Sequence, residues 1–316
     1  MPSSHPASSG HGRNTPKQYL GPGDRMGEGD TSLVLDILPA ELASVAFENM
    51  RKEVAWNTMH HRGGEVPRLV AVEGEVDASD GSFPIYRHPA DESPPLLPFS
   101  PTVALIQEHV ESVLKHPVNH VLIQHYRSGA DYISEHSDKT VDVVPGSYIV
   151  NVSIGAQRVM TLRTKKDVLG GVPHPDADDS SSVQEKRVVQ RVPLPHNSMF
   201  VMGLQTNAKW MHSIRADKRV PTVKSAAEVF NNQERISLTF RNIGTFLSAD
   251  QSHIHGQGAK GKTKKDARPI VLGGAEAEAL IVAFGNENHQ SDFDWQANYG
   301  EGFDVLHFNS TITSSQ

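Results

Sequence analysis

The sequence predicts an α+β fold in which a helical N-terminal part precedes a sandwich or barrel of short strands. Three observations predict it. Apolar residues recur at helical spacing as far as Leu114, the period changes to two from Asn119 onward, and clusters of Gly, Pro and Ser punctuate the strand-like runs.

Residues 1–32 are rich in Ser, Gly and Pro and carry little apolar surface to offset the entropy of ordering, so they read as a disordered tail. Their mixed charges and lack of an apolar run are unlike a secretory signal or transit peptide. No stretch approaches membrane-spanning length, so the expectation is a cytoplasmic protein with no membrane partner. Pro39 suits the first turn of a helix, and Leu42, Val45, Ala46, Met50 and Val54 predict that helix through Glu41 to Met59. Residues 60–100, with His60, His61, Gly63, Gly64 and repeated prolines, read as a mostly irregular surface segment with one short strand at Arg68 to Val72. A second helix fits Pro101 to Leu114, where Val103, Ile106, Val110, Val113 and Leu114 line one side.

Strands are expected at Asn119 to Tyr126, Ser147 to Ile154, Arg158 to Thr164, Arg187 to Leu194, Ser198 to Met202 and Arg235 to Ile243. The acidic, Gly- and Ser-rich stretch from Gly170 to Val183 reads as an exposed insertion. After Ile243 come a basic stretch (Lys260, Lys262, Lys264, Lys265, Arg268), a short helix at Ala275 to Phe284 and an aromatic-rich run from Phe293 to Phe308. The expected organisation is a tail (1–32), a helical N-terminal part (33–118), a β core (119–244) and an ordered C-terminal extension (245–316).

Thirty Lys and Arg stand against 37 Asp and Glu, a net charge of −7, which argues against a global attraction to nucleic acid or anionic lipid. The absence of cysteine excludes disulfides, thiolate zinc sites, iron–sulfur clusters and cysteine nucleophiles. Seventeen His leave imidazole and carboxylate as the ligands for a metal such as iron, manganese or zinc.

His136 and Asp138 are two residues apart, which in an extended segment directs both side chains to one face. His212, beyond the strand at Ser198 to Met202, is the best third ligand, with His174, His196, His253, His255, His289 and His307 competing. Two His and one carboxylate leave positions open on the metal and suit non-haem Fe(II), whereas structural zinc closes its coordination sphere. Arg235-Ile236-Ser237-Leu238-Thr239-Phe240-Arg241 alternates, so Arg235, Ser237, Thr239 and Arg241 share one face. That face is either a polar cradle for a dicarboxylate, gripped by the planar forks of arginine, or the solvated face of an edge strand. Leu122, Gln124 and Tyr126 likewise share a face, so an amide and a phenol can enter the same cavity.

Taken in order, Val121 to Asp131, His136-Ser137-Asp138, Val152 to Arg158, His212 and Arg235 to Arg241 resemble the AlkB-like Fe(II)/2-oxoglutarate oxygenases. His61-Arg62-Gly63-Gly64-Glu65-Val66-Pro67-Arg68-Leu69 is similar to the segment preceding that family's substrate lid, and the likeness covers roughly residues 36–244. The resemblance implies a double-stranded β-helix (jelly-roll) core with a substrate lid in the N-terminal part. It also implies Fe(II) on His136, Asp138 and His212, with 2-oxoglutarate and O2 as co-substrates. Arg235 and Tyr126 would hold the distal carboxylate of 2-oxoglutarate, and Arg241 its 2-oxo acid end. Gln124 and Ser237 stand where the family often has Asn.

Two substrate classes follow from the resemblance. Oxidation of a small molecule, an amino acid or a metabolite derived from one, fits the acidic balance. It also fits the run Gly302-Phe303-Asp304-Val305-Leu306-His307-Phe308, which is similar to fungal biosynthetic oxygenases of branched aliphatic amino acids, including aziridine-forming ones. In that case Arg127, Arg158 and Arg163 are candidate partners for a substrate carboxylate, and the aromatic C-terminal run either walls the pocket or packs outside the barrel. The alternative is demethylation of N-alkylated DNA or RNA bases, with a nuclear location. Lys260 to Arg268, Arg163, Lys165, Lys166, Lys186, Arg187 and Arg191 would then contact phosphates. Against it, the lid segment Val70 to Asp77 offers acids and no aromatic for a base to stack on, so the small molecule is the favoured partner. A non-catalytic domain of the same fold is disfavoured because all three candidate ligands and both arginines are present.

Overall fold

The computed structural model describes residues 19–61, 64–89, 93–166 and 187–307, so the insertion at 170–183, His174, Lys186 and Phe308 lie outside the described residues. Strand β1 (Ser32–Leu35) leads into helix α1 (Ala40–Glu53), and β2 (Asn57–His61) and β3 (Gly64–Gly74) form a hairpin. The short strands β4 (Phe83–Pro84) and β5 (Leu96–Pro98) precede helix α2 (Pro101–Leu114). The core then runs β6 (His120–Tyr126), β7 (Ile133–His136), β8 (Tyr148–Gly155), β9 (Arg158–Thr164), β10 (Val189–Leu194), β11 (Ser198–Gly203), α3 (Leu204–Lys209), β12 (Trp210–Ile214), α4 (Ala226–Val229) and β13 (Arg235–Arg241). The extension holds β14 (Thr245–Leu247), β15 (His253–Gly256), β16 (Arg268–Pro269), β17 (Val271–Leu272), α5 (Gly274–His289), α6 (Trp295–Tyr299) and β18 (Val305–His307).

The larger sheet has the order β1-β11-β8-β13-β6-β3-β2, and the smaller one the order β10-β9-β12-β7. From β8 onward the chain passes between the two sheets, with β8, β11 and β13 in one and β9, β10 and β12 in the other. This winding is the jelly roll of a double-stranded β-helix. Met160, Leu162, Val192, Leu194, Trp210 and Ile214 of the smaller sheet share one buried cluster with Tyr126, Ile149, Phe200 and Met202 of the larger, so the two inner faces enclose a common interior. The outer face of the larger sheet is covered by Phe47 and Met50 of α1 and Val103, Ile106 and Val110 of α2.

Strand β13 lies between β8 and β6, not at an edge. Ile236, Leu238 and Phe240 pack under the helices, so the alternate residues Arg235, Ser237, Thr239 and Arg241 face the barrel interior. The polar face is therefore turned into the barrel and is not a solvated surface. Gly155 turns the chain from β8 towards β9 at φ +104°, where a Cβ would lie 2.4 Å from the Glu234 carbonyl oxygen.

Four expectations change. Residues 19–31, read as part of a disordered tail, pack on the barrel: Met26 is fully buried in the interior cluster, and Glu28 accepts from Trp210 Nε1 (2.9 Å) and Lys209 Nζ (3.0 Å). Asp30 accepts from the Gln205 amide at the start of α3 (2.9 Å), so acids that look solvated in sequence are partners of groups some 175 positions away. Helix α1 stops at Glu53 instead of Met59, because Val54 turns extended (φ −77°, ψ 135°) and Asn57 and Thr58 pair with Val70 and Leu69 of β3. The segment expected to be irregular contains the eleven-residue β3, which pairs with β6 from Leu69↔His125 to Gly74↔His120; its Val70 to Gly74 part is thus sheet and not a free lid. Helix α5 continues to His289, five residues past the expected end at Phe284.

Candidate active site

His136 ends β7, Asp138 follows in the next loop, and His212 lies on β12 directly opposite His136 in the antiparallel register. That pairing brings His212 beside His136 and Asp138. One ligand atom of each residue lies within 4.8 Å of the others. Asp138 Oδ1 is 3.7 Å from His136 Nε2 and 3.6 Å from His212 Nε2, too long for hydrogen bonds. Donors bound at about 2.1 Å to one ion stand roughly 3.0–3.6 Å apart, so the spacing fits a shared metal.

The second atoms of these groups fix their orientation. His136 Nδ1 faces the Ser134 carbonyl at 2.7 Å, which makes Nδ1 the donor and leaves the Nε2 lone pair for the site. Asp138 Oδ2 accepts from Arg241 Nε (2.9 Å) and Nη2 (2.5 Å), leaving Oδ1 facing the imidazoles. Burial pushes the Asp138 carboxyl up, but the Arg241 guanidinium and the two imidazoles outweigh it and hold the group well below the usual carboxylate range. Burial lowers His136 and pushes His212 down to about 3. An ionised carboxylate with two neutral imidazoles is the protonation state that binding a divalent cation requires of such a trio.

Behind the trio lies a cavity of about 50 Å³, lined by Gln124, Tyr126, Asn151, Ser237, Thr239 and Arg241 among apolar residues of both sheets. Register places Arg235 opposite Tyr126 and Ser237 opposite both Gln124 and Ser153. Arg235 is fully buried; its Nη2 donates to Asn151 Oδ1 (2.8 Å) and Ser153 Oγ (2.7 Å), while Nε and Nη1 have no partner. Arg241 Nη1 is likewise buried without a partner. Unsatisfied guanidinium donors at both ends of one polar strand face fit a dicarboxylate. Tyr126 carries the Arg235 guanidinium 5.2 Å from its ring centre. The Gln124 amide accepts from Arg68 Nε (2.9 Å) and donates to the Tyr126 hydroxyl (3.3 Å). Asn151 was not singled out from the sequence, although it is a polar residue on the same face of β8 as Ser153.

A cleft of about 660 Å³ opens over His136 and Asp138. Val66, Arg68, Val70 and Val72 of β3 form one side; Ile281, Phe284, Gly285, Asn288 and His289 of α5 form another. The extension thus does wall the pocket, but through α5: Phe293, Trp295, Tyr299 and Phe303 pack behind that helix in a separate cluster. Tyr86, Tyr132 and Phe284 bring aromatic rings into the cleft from outside the lid segment. Arg127, Arg158 and Arg163 do not line it. Arg127 pairs with Asp131 and Arg163 with Glu135, and Arg158 donates to the carbonyls of Ser128, Asp131 and Arg215. Arg68 and Arg241 are the arginines that do, and Arg68 is bonded to the Tyr132 carbonyl (2.8 Å) and to Gln124. In the basic stretch Lys260 pairs with Glu276, Lys264 with Asp77 and Asp80, and Arg268 with Asp304. Arg187 pairs with Glu135, and Lys165 is buried against backbone carbonyls of α5 and Gln290.

Residues 30–241 match the family described as the 2OG-Fe(II) oxygenase superfamily. The chain is 30% identical over 208 residues to the DNA oxidative demethylase ALKBH2 of Homo sapiens, covering 64% of this chain and 69% of that protein. It is 26% identical over 205 residues to the alpha-ketoglutarate-dependent dioxygenase alkB homolog 3 of Bos taurus (64% of this chain, 62% of the relative). It is 29% identical over 129 residues to ALKBH2 of Arabidopsis thaliana (40% and 38%). The chain belongs to the 2OG-Fe(II) oxygenase superfamily and, within it, to the AlkB-like enzymes. It is a 2-oxoglutarate-dependent dioxygenase whose co-substrates are 2-oxoglutarate and O2 and whose metal is Fe(II). No helix among the described residues is long and apolar enough to cross a membrane.

Proposed function

We propose that His136, Asp138 and His212 hold the Fe(II), that Arg235, Tyr126 and Asn151 hold the distal carboxylate of 2-oxoglutarate, and that the substrate is an N-alkylated nucleic-acid base. The convergence of three ligand atoms beside two incompletely satisfied arginines carries the first two assignments. The activity of the ALKBH2 relatives supports the third, together with the aromatic rings of Tyr86, Tyr132 and Phe284 in the cleft. When bound, the iron and its co-substrates supply an oxidant: one oxygen atom enters a substrate C–H bond, the other enters succinate, and CO2 leaves. On an N-methyl group the resulting hydroxymethyl amine releases formaldehyde.

The chain's own residues prepare the site for this. Arg241 occupies one oxygen of Asp138 and keeps the carboxylate ionised, so a single oxygen faces the metal position. Stacking of the Arg241 guanidinium over the Tyr86 ring at 3.9 Å orients that pair. Ile133, Met160, Phe200 and Ile214 give the inner cavity apolar walls beside its polar groups.

A specific observation favours a second reading, a small anionic substrate. Arg68 reaches into the cleft, where its hydrogen bonds among the described residues go to the Tyr132 carbonyl and the Gln124 amide, α5 walls the opposite side, and Lys260, Lys264 and Arg268 of the extension are paired with acids. The deciding experiment offers Fe(II), 2-oxoglutarate and O2 with two panels, N-methylated oligonucleotides and free aliphatic amino acids, and measures substrate-dependent succinate and product mass. Formaldehyde from oligonucleotides is the expected result; turnover of amino acids alone would replace the nucleic-acid reading with the second. For the metal, anaerobic Fe(II) with 2-oxoglutarate should give a visible charge-transfer band lost in His136→Ala, Asp138→Ala and His212→Ala. A band unchanged in all three overturns the ligand assignment.

A further inference from the structure

Loop residues 137–140 carry Asp138, and their backbone amides have no strand partner. Each is taken instead by a side chain from elsewhere in the fold: Ser137 N–H by Asn288 Oδ1 (3.0 Å), Asp138 N–H by Asn207 Oδ1 (2.9 Å), Lys139 N–H by the Tyr86 hydroxyl (3.0 Å) and Thr140 N–H by Glu287 Oε1 (3.0 Å). Asn207 returns a bond from Nδ2 to the Asp138 carbonyl (2.9 Å), which closes a two-point hold.

Two of the four partners, Glu287 and Asn288, sit at the C-terminal end of α5, beyond residue 241 where the family match ends. They are themselves held. Glu287 is buried, its carboxylate also accepts from the Thr140 hydroxyl and from the Tyr299 hydroxyl (2.7 Å), and its carbonyl accepts from Lys165 Nζ and Ser137 Oγ (3.4 Å). Asn288 also accepts from Lys139 Nζ (3.3 Å) and lines the cleft.

We propose that Glu287 and Asn288 are positioning residues for the metal site: α5 clamps the loop that carries Asp138 while its other residues wall the substrate cleft. An irregular loop whose amides bonded only to water would sample many carboxylate positions, and side-chain partners that orient a ligand are the usual means of restricting them. The same helix links the two parts of the site, because Asn288 and its neighbours Phe284 and Gly285 touch the cleft one turn or less from the clamp. The proposal rests on Asp138 being a ligand.

The test measures Co(II) binding to the full chain by its visible d–d absorption, without turnover, in wild type, Asn288→Ala, Asn288→Asp, Glu287→Ala and Asp138→Ala. Loss of a ligand-orienting partner costs about 10-fold to 100-fold in metal affinity. Asn288→Ala should therefore bind Co(II) about tenfold more weakly with an altered band shape. Asn288→Asp, which keeps the acceptor, should restore both. In turnover, Asn288→Ala should lower kcat while KM for 2-oxoglutarate stays near wild type, since neither clamp residue lines the inner cavity. If Asp138→Ala loses Co(II) but Asn288→Ala and Glu287→Ala bind it with wild-type affinity and spectrum, the clamp is refuted and the ligand assignment stands. If Asp138→Ala binds Co(II) unchanged, the ligand assignment falls and the clamp falls with it.

Discussion

Replacing Arg241 with Met keeps most of the side-chain bulk and removes the charge that faces Asp138. Both partners are nearly inaccessible, at 2% and 3% of full exposure, and two hydrogen bonds join them. Breaking a buried pair leaves an uncompensated charge and costs about 3–5 kcal/mol. In the metal-free protein that corresponds to a fall in Tm of about 10 °C. With Mn(II) bound, the cation stands against the same carboxylate, so the deficit should shrink to under about 2 kcal/mol. The assay is urea unfolding in EDTA and in saturating Mn(II), for Arg241→Met, Asp138→Asn and the double variant. Removing the carboxylate charge as well should recover part of the loss, a coupling that the double-mutant cycle reads directly. A cost below about 1 kcal/mol in EDTA, or an equal cost with and without Mn(II), would refute the view that Arg241 and the metal share the Asp138 charge.

Three further outcomes are expected. Met26→Ala, which empties a fully buried position in the barrel interior, should cost about 2–5 kcal/mol in urea unfolding; a neutral effect would mean that residues 19–31 do not pack as described. Asn151→Ala removes a hydrogen bond to the buried Arg235 guanidinium and should raise KM for 2-oxoglutarate about tenfold with kcat little changed, as steady-state succinate assays would show. Burial raises the Glu73 carboxyl, where it accepts from the Ser100 amide and hydroxyl. The folded state then binds the proton more readily than the unfolded one, so stability falls as pH rises from the ordinary carboxylate value through the raised one. Glu73→Gln keeps the acceptor oxygen and should raise Tm at pH 7.5, with the gain gone below about pH 4; a gain that does not change with pH would exclude titration of Glu73 as its source.

Much of the site was legible before the fold. The two-residue spacing of His136 and Asp138 and the alternation of Arg235 to Arg241 are local properties of an extended chain, and they placed these side chains on common faces. Strand and helix periods located α1, α2 and α5 and the core strands β6, β8, β9, β10, β11 and β13, and the ordered motifs of the AlkB-like family tied them to one chemistry. The substrate preference drawn from net charge and the lid segment fared less well, since the relatives named for an activity on nucleic acid are DNA demethylases and the cleft's aromatic rings come from Tyr86, Tyr132 and Phe284.

Periodicity states which residues share a face but not what covers it. Whether the polar face of β13 met solvent or the barrel interior was decided by its place between β6 and β8. That His212 meets His136, 76 positions away along the chain, was decided by the register of β12 against β7. Residues 19–31 looked disordered because their partners, Trp210, Gln205 and Thr206, lie far off in sequence. The extension looked like packing, yet the structure brings Glu287 and Asn288 to the loop that carries Asp138. The sequence by itself determined the shared faces and the family. Only the tertiary structure decided which distant groups meet, because a backbone period is a local constraint and a hydrogen bond across the barrel is not.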